Sequence, residues 1–188
     1  MNHPPTEILL VRHGESGWNR DGRVQGQSSD APGLTEVGRD QAQAAARALE
    51  GFAADLLVVS DLLRARQTAE PIAVMLRRPM TIDIRLRERA LGETEGTGSG
   101  EELHLVGISR DEVSDADAHP LGGESVRELY QRVAGLLDEL RSGPHRKIVC
   151  VTHGGVVRVA LAHAAGIAPE AMGWAEVDNA SIWRLPLG

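Results

Sequence analysis

The apolar residues of this chain fall into short continuous runs that are separated by longer amphipathic segments. Three runs of four apolar residues occupy residues 8–11, 56–59 and 148–151. Continuous runs of this length, divided by helical patterns, predict buried strands of a parallel sheet. Two weaker strand candidates cover residues 81–84 and 180–185.

Between the predicted strands lie segments in which apolar residues recur at helical spacing. The predicted helices span residues 35–49, 62–76, 125–140 and 154–165. Thr35 is a suitable N-cap for the first helix. Pro71 lies inside the second helix, where it removes a backbone hydrogen bond, so we expect a kink or a break there. Residues 85–123 have no regular period, and we expect a long irregular segment that acts as lid and specificity segment. The whole predicts one α/β domain over residues 1–188.

The net charge and the composition of the chain argue against some classes of binding partner. The formal net charge is −7, which argues against nonspecific binding to nucleic acid or to anionic membranes. No apolar stretch approaches the roughly 20 residues that span a bilayer. The first residues lack the basic and apolar regions of a signal peptide, so we expect a cytoplasmic protein. Cys150 is the single cysteine and is expected to be a small core residue.

Cationic and imidazole side chains follow the three strong strand candidates. Arg12 and His13 follow the first, Arg64 comes shortly after the second, and His153 follows the third. Ligands bind at the carboxyl ends of the strands in an open parallel sheet, so these four side chains are expected to meet there. Guanidinium groups bind phosphate oxygens in a planar, bidentate manner, and Arg12 beside His13 argues against a metal ligand. The cluster predicts an anion site, with phosphate as the ligand and no metal or cofactor.

Hydrolysis of a phosphomonoester without a metal needs a nucleophile and an acid. By itself His13 could be a nucleophile, a metal ligand or a structural residue. A neutral histidine can accept the phosphoryl group and divide the reaction into two easier steps. Glu88 is a candidate for the acid that protonates the leaving oxygen, although the mixed-charge run at residues 85–89 also suits a solvated surface.

Several separated motifs resemble those of the histidine phosphatase superfamily, in its phosphoglycerate mutase-like branch. Residues 11–19 (VRHGESGWN) resemble the first motif, residues 60–69 (SDLLRARQTA) the second, and residues 152–155 (THGG) the second histidine motif. Weaker similarities in the same order cover residues 23–26, 34–38, 86–96, 123–125 and 179–182. Together they extend over most of the chain, and they imply a three-layer α/β/α sandwich with a mostly parallel central sheet.

The resemblance also implies roles for individual residues. It makes His13 the phosphorylated nucleophile and Glu88 the general acid, with Glu124 as a competing carboxylate. It assigns Arg64 rather than Arg66 to the phosphate. The remaining residues that it implies for the catalytic or phosphate-binding site are Arg12, Asn19, Gln25, Gly26, His153 and Gly154. Trp18, His104, His119 and Trp174 are candidates for the substrate side, whereas His3, His145 and His163 are expected at the surface or in packing.

Two departures from the family pattern bear on the activity. The loop at residues 27–33 is longer than usual, and Thr94 stands where many relatives have tryptophan, which should open or reshape the wall near Glu88. The segment between Glu88 and Gly123 is shorter than in true phosphoglycerate mutases, which favours a phosphatase of small phosphomonoesters over a mutase. A noncatalytic phosphate-binding protein on the same scaffold is the third alternative. We expect a small phosphorylated substrate, no nucleic-acid or membrane partner, and a monomer or homodimer.

Overall fold

The central sheet has five strands, four of them parallel. The computed structural model describes residues 5–98, 107–109, 112–174 and 176–186. Strands β1 to β3 are Glu7–Arg12, Leu56–Val59 and Met80–Ile82; β4 and β5 are Ile108–Ser109 and Glu112–Val113; β6 and β7 are Lys147–Thr152 and Ile182–Arg184. The order across the sheet is β3-β2-β6-β1-β7, and only β7 runs antiparallel to its neighbour.

In the described part of the chain, five α-helices accompany the sheet. They are α1 Gly17–Arg20, α2 Glu36–Ala48, α3 Leu63–Leu76, α4 Val126–Ser142 and α5 Gly154–Ala164. Thr35 caps α2 as predicted, because its hydroxyl accepts from the Gly38 N–H. Ser125 and Glu128 form a capping box at the start of α4, which fixes where the longest helix begins.

Alternate residues of the central strands face opposite helical layers. Leu9, Val11 and Val151 belong to a core with α2 and α3, whereas Leu10 and Cys150 belong to the core with α4 and α5. Both faces of the inner strands are therefore buried, which is why their sequences are continuous apolar runs. The result is the three-layer α/β/α sandwich that the sequence predicted.

One local expectation, the break at Pro71, is corrected, and another is refined. Helix α3 runs through Pro71 without a break, because proline removes one N–H and the backbone hydrogen bonds on either side continue the helix. The segment at residues 85–123 is irregular over most of its described residues, as expected, and it includes short regular elements. It contains short 3-10 turns at Ile84–Leu86 and Gly92–Thr94 and the antiparallel pair β4–β5. Strands of two residues have no readable alternation, so the sequence carries no signal for them.

Within the described ranges no helix is long and apolar enough to cross a membrane. His3 and His104, for which the sequence suggested packing and substrate-side positions, lie outside the described residues.

Candidate active site

The carboxyl ends of β1, β2 and β6 bring the predicted side chains together. Arg12 ends β1 and His13 follows it, while His153 follows β6 and occupies the position directly before α5. Arg64 lies in the first turn of α3, directly after β2. These ends border a cavity of about 530 Å³ whose lining includes Arg12, His13 and Arg64.

His13 is buried and held in one orientation. Its Nδ1 lies 2.7 Å from the Gly14 carbonyl, and the Arg64 Nε lies 3.2 Å from its Nε2. A carbonyl can only accept and a guanidinium can only donate, so Nδ1 carries the proton and Nε2 carries the lone pair. Burial, with the nearby charges of Arg64 and Arg12, lowers the pKa of His13 well below 6.5. The imidazole is therefore neutral at physiological pH, with its basic nitrogen beside the Arg64 guanidinium.

Both guanidiniums are fixed by backbone carbonyls. Arg12 Nη1 donates to the Val177 carbonyl, and Arg64 Nη2 donates to the Gly26 carbonyl at 2.8 Å. Burial lowers the pKa of Arg64 to about 10, which leaves it charged at neutral pH. Arg12 Nε is buried without a hydrogen-bond partner among the described residues. An anion in the cavity would supply the acceptor that this nitrogen lacks.

His153 lies behind His13 and does not line the cavity. It is fully buried, and the two imidazole rings have centroids 5.1 Å apart. Its Nε2 is 2.8 Å from the Ser60 hydroxyl, and its Nδ1 has no partner within the described ranges. Burial, then Arg64 and His13, lower the pKa of His153, so this ring is neutral as well.

The two candidate carboxylates have different surroundings. Glu88 lines the cavity, and its Oε2 accepts from the Gly155 N–H at 3.1 Å. A β-carbon at residue 155 would lie 2.2 Å from Glu88 Oε1, so a side chain there would displace the Glu88 carboxylate from this position. Glu124 does not line the cavity and is paired with Arg132 at 2.6 Å. The geometry therefore favours Glu88 as the carboxylate available to a bound ligand.

The other predicted phosphate contacts divide into two groups. Asn19, Gln25 and Gly26 line the cavity, whereas Gly154 does not. The Asn19 Oδ1 accepts from the backbone N–H of Ser16, which orients the amide within the capping box of α1. Gln25 is held by the Ser16 hydroxyl at 2.7 Å. Arg66, which the resemblance made a poorer candidate than Arg64 for binding phosphate, is exposed on α3.

The cavity is also lined by residues that the sequence did not predict as part of the site. Arg23, Arg89, Arg158, Leu91, Ile108 and Glu176 also line it. Trp18 and Trp174, candidates for the substrate side, both line the cavity, and each carries an arginine over its ring. Arg158 follows Gly154 by four residues on α5, so helical spacing could have identified it.

The remaining histidines lie elsewhere. His119 is half exposed and lies 3.5 Å from Glu128. His163 pairs with Asp138 at 3.0 Å, and His145 is partly buried near the start of β6. No group of three or more histidine, cysteine or acidic side chains suited to a metal ion occurs in the described part of the chain.

Fold and site together define an α/β protein with an arginine-lined cavity at the carboxyl ends of parallel strands. The model of the histidine phosphatase superfamily, branch 1, matches residues 8–187. The chain belongs to this superfamily.

Individual relatives agree with that membership. A metal-independent phosphoserine phosphatase from Arabidopsis thaliana is 38% identical over 81% of this chain and 66% of its own length. A relative from Erwinia tasmaniensis, named Probable phosphoglycerate mutase GpmB, is 34% identical over 95% of this chain and 84% of its own. Among solved structures, a mycobacterial glucosyl-3-phosphoglycerate phosphatase in complex with VO3 superimposes with a TM-score of 0.78 at 30% identity, over 95% of this chain and 90% of the other.

Proposed function

We propose that the protein is a metal-independent phosphatase that hydrolyses small phosphomonoesters through a phosphohistidine intermediate on His13. The observation that carries the proposal is the fixed tautomer of His13, whose lone pair on Nε2 lies beside Arg64 in the cavity. A buried neutral imidazole is already in its nucleophilic form. The names of relatives, a metal-independent phosphoserine phosphatase and a glucosyl-3-phosphoglycerate phosphatase, support a phosphatase for small substrates.

In the first step the Nε2 lone pair of His13 attacks phosphorus. A nitrogen–phosphorus bond forms while the bond from phosphorus to the ester oxygen breaks. Charge on the transferring oxygens is stabilised by Arg12 and Arg64, which are fixed before the substrate arrives. The N–H at Nδ1 donates to the Gly14 carbonyl throughout, which stabilises the positive charge that develops on the ring. Glu88, entering as a carboxylic acid, gives its proton to the leaving oxygen.

The second step returns the site to its starting state. Glu88, now a carboxylate, accepts a proton from water as the water oxygen bonds to phosphorus and the bond to Nε2 breaks. The Nε of Arg12, which has no hydrogen-bond partner among the described residues, is a donor that suits a phosphoryl oxygen. Arginine supplies the charge stabilisation that a divalent ion would otherwise provide, so no metal takes part in either step.

A mutase is the second candidate, and the name of the Erwinia relative favours it. A mutase must hold its phosphohistidine away from water until the phosphoryl group returns to a hydroxyl. The Thr94 hydroxyl donates to the Leu91 carbonyl at 2.8 Å, and Thr94 does not line the cavity, so it adds no bulk to its wall. This supports water as the acceptor.

Phosphate release in the presence of a chelator tests the proposal. We expect turnover of p-nitrophenyl phosphate and of small phosphomonoesters, with inhibition by vanadate. Arg64→Gln should lower kcat/KM by about a hundredfold or more, because a buried charge-assisted contact to the transferring group is lost. Arg66→Gln, two residues away and exposed, is the matched control and should retain the parent rate. Transfer of phosphate to an added phosphoglycerate without net release would support the mutase, and phosphate binding without turnover would support a noncatalytic protein.

A further inference from the structure

The stretch of chain that carries Glu88 borders two cavities. Glu88 lines the cavity of the candidate active site, whereas its neighbours Arg87 and Ala90 line a second cavity of about 500 Å³. Leu86, two positions before Glu88, is the nearest residue that belongs to the apolar core. Apolar packing therefore contributes little to the position of residue 88, and polar contacts have to fix it.

Two side chains from distant parts of the sequence donate to the backbone carbonyl of Glu88. The Gln27 Nε2 donates to this oxygen at 2.8 Å, and the Arg132 Nη2 donates to it at 2.9 Å. A carbonyl oxygen has two lone pairs, so these two donors use both of them. Gln27 begins the loop at residues 27–33, and Arg132 lies on α4. The position of residue 88 is therefore set jointly by this loop and by the longest helix.

Arg132 also makes contacts that hold its own guanidinium in place. It donates to the Arg85 carbonyl at 2.7 Å and to the two carboxylate oxygens of Glu124 at 2.6 and 2.9 Å. Glu124 in turn accepts from the backbone N–H of Ala90 at 3.3 Å. A planar guanidinium with five N–H donors can serve a carboxylate and two carbonyls at once. Arg132 and Glu124 thus bind the chain on both sides of Glu88.

The loop that supplies Gln27 also adjoins the phosphate side of the site. The carbonyl of Gly26, the preceding residue, accepts from Arg64 Nη2 at 2.8 Å. Consecutive residues of one loop therefore contact the arginine assigned to the phosphate and the backbone of the proposed acid. The loop links the positions of Arg64 and Glu88.

The placement of the Glu88 carboxylate depends on this backbone. Its Oε1 accepts from the Arg89 N–H at 2.8 Å, a contact within the same stretch of chain, whereas its Oε2 reaches the Gly155 N–H on α5 at 3.1 Å. The second contact is lost if residue 88 moves relative to α5. A general acid has to lie within hydrogen-bond reach of the leaving oxygen, and a displacement of about 1 Å can cost about a hundredfold in rate.

We propose that Arg132 and Gln27 are positioning residues that hold Glu88 where it protonates the leaving oxygen, with Glu124 orienting Arg132. The inference rests on the proposed function, in which Glu88 is the general acid. It gives Glu124 a role through Arg132 rather than at the substrate. It also gives a role to the start of the loop at residues 27–33, which departs from the family pattern.

The dependence of the rate on the leaving group tests the positioning role. In single-turnover experiments, Arg132→Gln and Gln27→Met should each slow phosphorylation by an alkyl phosphate about ten- to a hundredfold, because the acid is displaced. Phosphorylation by an activated aryl phosphate, which scarcely needs an acid, should change by less than about threefold. Arg127→Gln is the matched control on α4, where Arg127 pairs with Asp117 at the surface, and both rates should be unchanged. Equal losses for the two substrates would indicate a general structural defect and overturn the proposal.

A double variant shows whether the loss passes through Glu88. If Arg132 acts only by placing the acid, Glu88→Gln combined with Arg132→Gln should be no slower with the alkyl phosphate than Glu88→Gln alone. Losses that multiply would contradict a role through Glu88. Gln27→Met, on a separate element, provides the same test if the loss of Arg132 prevents folding.

A measurement without substrate separates this inference from the proposed function. The amide proton of Gly155 donates to Glu88 Oε2, so its NMR shift reports where the carboxylate lies. In Arg132→Gln and Gln27→Met this resonance should move toward its position in Glu88→Ala, whereas Arg127→Gln should leave it in place. If no phosphomonoester is hydrolysed but the resonance moves in this way, the proposed function fails and the positioning of Glu88 stands. An unmoved Gly155 resonance in both variants would overturn the positioning, whatever the turnover.

Discussion

Replacement of Ser60 by alanine removes the one hydrogen bond that the His153 side chain makes within the described ranges. His153 is fully buried, and its Nε2 lies 2.8 Å from the Ser60 hydroxyl, while its Nδ1 has no partner within the described ranges. The backbone N–H of Leu62 donates to the same hydroxyl at 3.4 Å. The Ser60 proton is then free to go to Nε2, which leaves Nδ1 as the protonated nitrogen of His153.

The size of the effect follows from burial. Without the hydroxyl, neither nitrogen of a buried imidazole has a hydrogen-bond partner, which costs about 1–3 kcal/mol of stability. A protein of 188 residues loses about 2–4 °C in Tm for each kcal/mol. We therefore expect Ser60→Ala to lower Tm by several degrees. Ser142→Ala makes the same chemical change at an exposed site on α4 and should have little effect.

Nitrogen NMR distinguishes a structural effect from an effect on the tautomer. In the parent protein the His153 spectrum should show a protonated Nδ1 and a bare Nε2. In Ser60→Ala both tautomers should be populated, because no hydroxyl then fixes the proton on Nδ1. A His153 protonated on Nε2 in the parent protein, or an unchanged Tm and tautomer in the variant, would refute this reasoning.

Three further predictions concern the chemistry and the charge of the site. Glu88→Gln should slow single-turnover phosphorylation by alkyl phosphates about a hundredfold or more and by activated aryl phosphates much less; equal losses would direct attention to Glu124. Prolonged dialysis against a chelator should leave the rate unchanged, and a strict divalent-ion requirement would contradict the proposed chemistry. His13 and His153 stay neutral when folded but protonate near their ordinary pKa of 6.5 when unfolded. Denaturant titrations should therefore show the free energy of unfolding falling between pH 6.5 and 5.5, by up to about 1.4 kcal/mol per pH unit for each histidine, and His13→Gln should reduce that slope.

The elements that build the site could be predicted because their signals are local. The strand runs at residues 8–11 and 148–151 are buried on both faces, so burial alone makes them continuously apolar. The caps Thr35 and Ser125 mark helix starts through a hydrogen bond to a residue three positions away. His13 and Arg64 meet because parallel strands end at the same edge of the sheet.

Other features depend on contacts between distant residues and left no local signal. One such feature is the position of His153, which the Ser60 hydroxyl and the His13 ring hold one layer behind the lining of the cavity. The choice between Glu88 and Glu124 depended on Arg132, which pairs with Glu124 from the next turns of α4. Such pairings are set by the fold, and composition or periodicity cannot reveal them.

The most direct test of the central claim is to trap the phosphorylated enzyme. A rapid acid-free quench during turnover of a labelled phosphomonoester, followed by digestion in base and mass spectrometry, should find the label on His13. Phosphorus NMR of the same species should show phosphate on Nε2, the nitrogen left bare by the Nδ1 contact with Gly14. His13→Asn should abolish both the label and the turnover. Turnover that proceeds without an enzyme-bound phosphate, or a label on any residue other than His13, would contradict the account.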